Sequence, residues 1–108
     1  MDEKTLTALQ KSIAHWEGNL AADSPDDVQL GSDNCALCIL FFDDHCTGCP
    51  VEQKTGNPFC DGSPYYKAGF EFEAWYCGES PEAQVSWRKA AQAELDFLKS
   101  LLPDGESQ

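Results

Sequence analysis

The chain has 108 residues and carries 19 acidic side chains against 7 basic ones, which gives a formal net charge of −12. This length is typical of a single domain, so we expect residues 1–108 to fold as one domain around one modest core. The acidic excess argues against direct nucleic-acid binding, because that binding needs clustered cations to neutralise phosphates. The simpler interpretation is that the acids keep the protein soluble. The alternative is that they serve binding, and the partner is then expected to be a protein with a basic or nucleic-acid-handling surface.

The N-terminal residues show no targeting segment. MDEKTLTALQKSIAHW has no apolar run of the length a secretory signal needs, and no stretch approaches the ~20 apolar residues of a membrane span. We therefore expect a cytoplasmic protein that does not interact with membranes. Under the reducing conditions of a cytoplasm, closely spaced cysteines indicate a metal or redox site rather than structural disulfides.

Two segments have the apolar period of an amphipathic helix. The first, expected at about residues 3–21, has its apolar stripe at Leu6, Leu9, Ile13, Trp16 and Leu20. The second is expected at about residues 81–102, with Ser80 as its cap and Pro81 at its first position. Its stripe is Trp87, Ala91, Leu95, Leu98 and Leu102, and Pro103, Asp104 and Gly105 should stop it. We expect the two helices to pack together and to bury Trp16 and Trp87.

The segment SPYYKAGFEFEAWYC, which ends at Cys77, is ambiguous. Phe70, Phe72, Ala74 and Tyr76 alternate with acids as in a strand, while Tyr65, Ala68, Phe72, Trp75 and Tyr76 also suit one face of a helix. We favour helix or irregular structure, because no second strand is evident to pair with it. Cys77 is expected to be a small buried apolar residue. The predicted fold class is therefore mainly α, as a small single domain.

A central cysteine-rich module is predicted at about residues 35–64. The stretch CALCILFFDDHCTGCP holds two Cys-x-x-Cys pairs, and a fifth cysteine follows at Cys60. Each pair can present two sulfurs to one ion, and two pairs complete the tetrahedron of thiolates typical of structural zinc. The candidate metal ligands are Cys35, Cys38, Cys46, Cys49 and Cys60. The apolar run from Ile39 to Phe42 is expected to anchor this module to the helices.

Several alternatives for the module stay open. Five cysteines are one too many for a single zinc ion, and the sequence does not choose which four bind; His45 could also replace Cys46 as a ligand. An iron–sulfur cluster is the main alternative, because Cys49 and Pro50 match the end of bacterial ferredoxin motifs, although the remaining spacing differs. Thiol redox chemistry is disfavoured by the absence of a βαβ pattern. No catalytic motif is evident, so we favour a protein without enzymatic activity.

The cysteine motif and its flanks also carry a family resemblance. CALC, CTGCPV, KTGNPFC and SPYY, preceded by IAHWEGNL and followed by AELDFLKSLLP, resemble an uncharacterised family of small proteins of tailed phages and prophages. The matching positions are Cys35, Cys38, Cys46, Cys49, Pro50, Val51, Gly56, Cys60, Pro64 and Tyr65. Ser63 stands where the pattern has Thr, and Cys77 lies outside it. The resemblance implies a bacterial host cytoplasm.

These observations lead to three expectations for function. The first is a zinc-stabilised phage accessory protein that binds a host or phage macromolecule. The second is a nucleic-acid mimic, whose carboxylates would imitate phosphates and inhibit a DNA-binding or defence enzyme. The third is an iron–sulfur or thiol redox protein.

Overall fold

The computed structural model describes residues 1–31, 34–78 and 80–103, and within these residues the chain forms five α-helices and no strand. The mainly α fold class is thus confirmed. The helices are α1 (Glu3–Leu20), α2 (Ala36–Phe41), α3 (Pro50–Thr55), α4 (Tyr65–Gly78) and α5 (Pro81–Ser100). None of the helices in these described ranges is long and apolar enough to cross a membrane.

Each terminal helix begins at a capping side chain, and Ser80 is the cap that the sequence predicted. The side chain of Asp2 accepts a hydrogen bond from the backbone N–H of Thr5 at 2.7 Å, and Ser80 caps α5 by accepting from Ala83 at 3.1 Å. Both bonds satisfy N–H groups that have no partner inside the helix. The helix α5 ends at Ser100, slightly before the predicted residue 102. The predicted stop residues Asp104 and Gly105 lie outside the described residues.

An aromatic cluster forms the centre of the core. The fully buried ring of Trp87 lies 6.0 Å from that of Trp16, 5.7 Å from Phe72 and 6.2 Å from Trp75, measured between ring centroids. Because these rings come from α1, α4 and α5, the cluster joins the three long helices. The predicted packing of the terminal helices and the burial of Trp16 and Trp87 are confirmed.

The ambiguous segment is the helix α4, which packs along α5. Ala68 and Trp75 are buried on its inner face, with Tyr65 and Phe72 half-buried beside them. The buried and half-buried positions of α4 follow the period of a helix, so the spacing of Tyr65, Ala68, Phe72 and Trp75 was the informative signal. The prediction for Cys77 was wrong: its side chain is exposed, because it lies on the face of α4 that points away from α5.

The cysteine-rich segment is more ordered than the predicted loop, since it contains α2 and α3. The helix α2 packs against α1 through Leu37, which is buried, and through Phe41, which is half-buried. Anchoring by the whole run from Ile39 to Phe42 was wrong, because a helix this short buries one face only. Ile39 is 72% exposed, and Leu40 and Phe42 are exposed as well.

Candidate metal centre

Five of the six cysteines line one cavity of about 170 Å³ beside the second halves of α1 and α5. They are Cys35, Cys38, Cys46, Cys49 and Cys60. These are the five candidate ligands predicted from the sequence, so the fold brings together side chains from three separate segments. The sixth, Cys77, is exposed on α4. All six are free thiols in the described part of the chain.

The first cysteine pair is shaped by the start of α2. Cys35 is the N-cap of this helix, and its sulfur accepts a hydrogen bond from the backbone N–H of Cys38 at 3.2 Å. A sulfur in this position replaces the oxygen of an ordinary capping side chain. The cap therefore fixes the direction of the Cys35 side chain and keeps it close to Cys38.

The second pair closes through a tight turn before α3. The backbone N–H of Cys49 donates to the carbonyl of Cys46 at 3.0 Å, and Gly48 has a φ of 89°. A β-carbon at Gly48 would strain this left-handed backbone and lie 3.4 Å from the ring of Phe41. Glycine at this position therefore lets the turn bring Cys46 and Cys49 to the cavity. Pro50 then starts α3 at a position where a missing N–H costs nothing.

Left-handed backbone at non-glycine residues also marks the site. His45 and Cys46 have φ values of 55° and 65°, and Phe59 and Cys60 have values of 57° and 63°. Such residues are uncommon, cost about 1–3 kcal/mol each and cluster at functional sites. Each pair ends in a cavity cysteine. The exposed ring of His45 packs edge-on against Phe59, with ring centroids 6.3 Å apart.

The thiols share a crowded, partly desolvated environment. The hydrogen bond with Cys38, together with burial, raises the pKa of Cys35 far above its ordinary value. For Cys38 the hydrogen bond with Cys35 lowers the pKa, but a hydrogen bond with Cys60 and burial raise it to about 12. Burial also raises the pKa of Cys49. Several of these thiols can be ionised at the same time only if a cation offsets the repulsion between the thiolates and their loss of hydration.

The donor set suits a soft or borderline metal, because thiolates select zinc and iron–sulfur centres over hard cations. The residues able to hold such a group are the five cavity cysteines. Across residues 1–31, 34–78 and 80–103, no three His, Cys, Asp or Glu side chains are already placed to hold one metal ion. The five thiols therefore surround a shared space, and their sulfurs do not converge on one ion position.

A polar clasp that sequence reasoning missed holds the linker leading to Cys35. The buried side chain of Asn19 donates to the carbonyl of Gln29 at 3.0 Å and accepts from its N–H at 3.0 Å. His15 Nε2 lies 2.7 Å from the same carbonyl. The hydroxyl of Tyr65 accepts from the N–H of Gly31 at 3.1 Å. Together these bonds fix the linker onto α1 and α4 shortly before the first cysteine.

Two buried polar groups in the cavity wall were also missed. Glu94 is 3% exposed and Ser12 is 4% exposed, and both line the cavity. Among the described residues Oε1 of Glu94 and Oγ of Ser12 have no hydrogen-bond partner. Burial, with a smaller effect of Cys35, raises the pKa of Glu94 to about 8. The signal in the sequence was the spacing of four, three and four residues through Trp87, Ala91, Glu94 and Leu98, which puts a carboxyl on the apolar stripe.

The chain has no match among protein-family models, curated proteins or solved structures. The resemblance to small phage and prophage proteins therefore rests on the cysteine motif and its flanking residues, and it stays a prediction.

Proposed function

We propose that the protein is a small metal-stabilised accessory protein, which uses its cysteines to hold a zinc ion and acts by binding another macromolecule. The observation that carries this proposal is the meeting of five cysteines from three segments at one cavity. Four of them would bind the ion, and the fifth would remain as a neighbouring thiol. Zinc would supply charge compensation and a cross-link there, and no catalytic step is assigned to it.

The segment that carries the cysteines is one that needs such a cross-link. Its helices α2 and α3 have 6 residues each, which is well below the length at which an isolated helix is stable in water. It also holds the left-handed residues at Cys46 and Cys60, which cost free energy. Structural zinc contributes folding free energy directly, so it would offset these costs.

An iron–sulfur cluster is the second candidate, and one observation favours it. The sulfurs surround a space of about 170 Å³ without three side chains in the described ranges meeting at one ion position. A cluster is a multi-atom group whose cysteine ligands bind its separate iron atoms, so it needs sulfurs spread around a space.

Metal content and colour of the purified protein distinguish these candidates. We expect about one zinc per chain and no visible absorbance, because tetrathiolate zinc is colourless. The double change Cys46→Ser and Cys49→Ser leaves three cavity cysteines and should lose most of the metal, while Cys77→Ser, at an exposed cysteine outside the cavity, should keep it. Stoichiometric iron and sulfide with a brown colour would replace zinc by a cluster, and a metal-free protein that is fully folded would refute both.

Chelation tests the structural role of the metal in the same samples. Its removal should increase protease cleavage within residues 35–60, while the far-ultraviolet signal of α1, α4 and α5 largely remains. Unchanged cleavage after complete removal of the metal would show that the cysteine segment folds without it.

A further inference from the structure

The cavity at the cysteines is larger than a metal ion needs. A zinc ion occupies only the space between four sulfurs about 2.3 Å away from it. The volume of about 170 Å³ is instead similar to the engineered cavity of roughly 150 Å³ that takes up benzene. It therefore has room for a small organic group in addition to the thiols.

One wall of this cavity carries polar atoms without partners. Oε1 of Glu94 and Oγ of Ser12 are buried, line the cavity and have no hydrogen-bond partner among the described residues. A buried polar atom without a partner costs about 1–3 kcal/mol, and more when it is charged. Such groups in a native protein call for an explanation, and a ligand that pairs with them is one.

Aromatic rings line a further part of the cavity. Trp16 and Tyr65 line it from the core, and Phe42, Phe59 and Tyr66 line it with side chains that are also exposed to solvent. The rings of Phe42 and Phe59 lie 5.6 Å apart, and the hydroxyl of Tyr66 donates to the carbonyl of Phe59 at 2.6 Å. Aromatic faces attract cations and cover aliphatic chains.

We propose that this cavity binds an alkylammonium group, with the carboxylate of Glu94 as its counter-ion and the aromatic rings covering its aliphatic chain. A lysine side chain of a protein and a free aliphatic amine present the same chemistry. The proposal goes beyond the metal site and stands without it, because the cavity, the carboxyl and the rings are all present in the protein chain itself. Ser12 can accept a second hydrogen bond from the same ammonium group.

Other ligand classes fit less well. An anion would meet Glu94 and a protein of net charge −12. A purely apolar ligand would fill the volume but leave the carboxyl without a partner. An ammonium group both pairs with the carboxyl and is drawn in by the overall charge. Burial raises the pKa of Glu94 to about 8, so near neutral pH the carboxyl of the free protein is mostly protonated and releases this proton when it pairs with an ammonium group.

Calorimetric titration with n-pentylamine tests the proposal, with n-pentanol as the uncharged ligand of matched shape. Two protein variants complete the design. The titrations are made at about pH 9, above the raised pKa of Glu94, where its carboxyl is mostly ionised. There Glu94→Gln removes the charge while keeping the shape, and Glu73→Gln makes the same change of net charge at an exposed position on α4 that does not line the cavity. We expect pentylamine to bind wild type and the Glu73→Gln protein equally. The Glu94→Gln protein should bind it about tenfold or more weakly, as is typical when a charged hydrogen bond is lost.

Two results would overturn the proposal. One is equal affinity for pentanol and pentylamine in wild type, which would show an apolar hole without charge recognition. The other is equal pentylamine binding by the Glu94→Gln and Glu73→Gln proteins. The first comparison uses wild type only, so it remains decisive if the Glu94→Gln protein fails to fold. Elemental analysis of each sample separates a failure of this site from a failure of the metal site.

The source of the ammonium group is distinguished by two further ligands. A short lysine-containing peptide is compared with its acetyl-lysine form, and 1,5-diaminopentane represents the free amines. If the lysine peptide binds more tightly than the diamine and acetylation abolishes its binding, the cavity recognises a protein partner. Tighter binding of the diamine assigns it to a small molecule, and binding of neither at millimolar concentration refutes the alkylammonium site.

Discussion

The Glu94 side chain makes the stability of the protein depend on pH. Burial raises its pKa from 4.5 to about 8, so between these values the folded chain holds a proton that the unfolded chain has released. Stability falls with rising pH wherever the folded state binds more protons. The protein should therefore lose free energy of unfolding as the pH rises from about 5 to 8, which is the opposite of a carboxylate held in a salt bridge.

Glu94→Gln should remove this dependence. The variant is expected to match wild type near pH 5 and to exceed it at pH 8 by on the order of 2–4 kcal/mol in free energy of unfolding, since a tenfold change in a proton-binding constant corresponds to about 1.4 kcal/mol. Denaturant unfolding at the two pH values measures the difference, and Glu73→Gln is the control for net charge. Parallel pH profiles for wild type and the Glu94→Gln protein would show that the carboxyl is solvated or paired in solution.

Single residues differed in how far the sequence could predict them. Four of the five cavity cysteines were grouped by their spacing, because two residues between thiols is a local constraint that survives folding. Cys60 has no such spacing and was included only because it follows the two pairs. Glu94 and Ser12 were missed because their missing partners depend on which helices meet. The burial predicted for Cys77 was wrong for a related reason: neighbouring positions on a helix face different sides, and only the position of α5 decides which side is covered.

Among the elements, the linker between α1 and α2 depends on a few hydrogen bonds rather than on apolar burial. Asn19 pairs with both backbone groups of Gln29, as an adjacent strand would. The apolar stripe of α1 holds no signal for this contact, because Asn19 is not one of its residues. An amide suits this position, since its side chain both donates and accepts.

Asn19→Ala should release this linker. Loss of the two hydrogen bonds is expected to lower the free energy of unfolding by about 1–2 kcal/mol and to speed hydrogen exchange at the amide of Gln29. Alanine is the better helix former, so the measured loss understates the effect of the clasp. Glu17→Ala, at an exposed position on the same helix, is the control. Unchanged exchange at Gln29 would mean that the linker is held by other contacts.

The helices differ in whether local sequence signals or contacts with other helices determine them. The terminal helices were predicted almost to the residue, because the cap Ser80 and the apolar stripes are local signals. The segment from Tyr65 to Gly78 could not be assigned from its period, and packing against α5 decided it. The short helices α2 and α3 have little intrinsic stability, so their presence depends on the turns and cysteines around them.

At the scale of the whole molecule, the acidic charge and the cavity favour the same kind of partner. A net charge of −12 creates a negative field around a chain whose principal dimensions are 41 × 28 × 20 Å. Such a field speeds the approach of basic surfaces and repels nucleic-acid phosphates. The aromatic-lined cavity with Glu94 in its wall would give that approach a defined contact point. A nucleic-acid mimic would also need a basic partner, so nucleic-acid mimicry remains the alternative function.

Association with the partner should therefore weaken in salt, because the Debye length falls from about 10 Å at 0.1 M to about 3 Å at 1 M. Capture from bacterial lysate at low salt should enrich basic, nucleic-acid-handling proteins, and this enrichment should be lost at high salt. Repeating the capture with the Glu94→Gln and Glu73→Gln proteins distinguishes recognition by the cavity from attraction by the net charge. Only the Glu94→Gln protein should lose a partner that binds through a lysine side chain. Tight binding to duplex DNA, or capture of a partner that does not respond to salt, would show that the acids only keep the protein soluble.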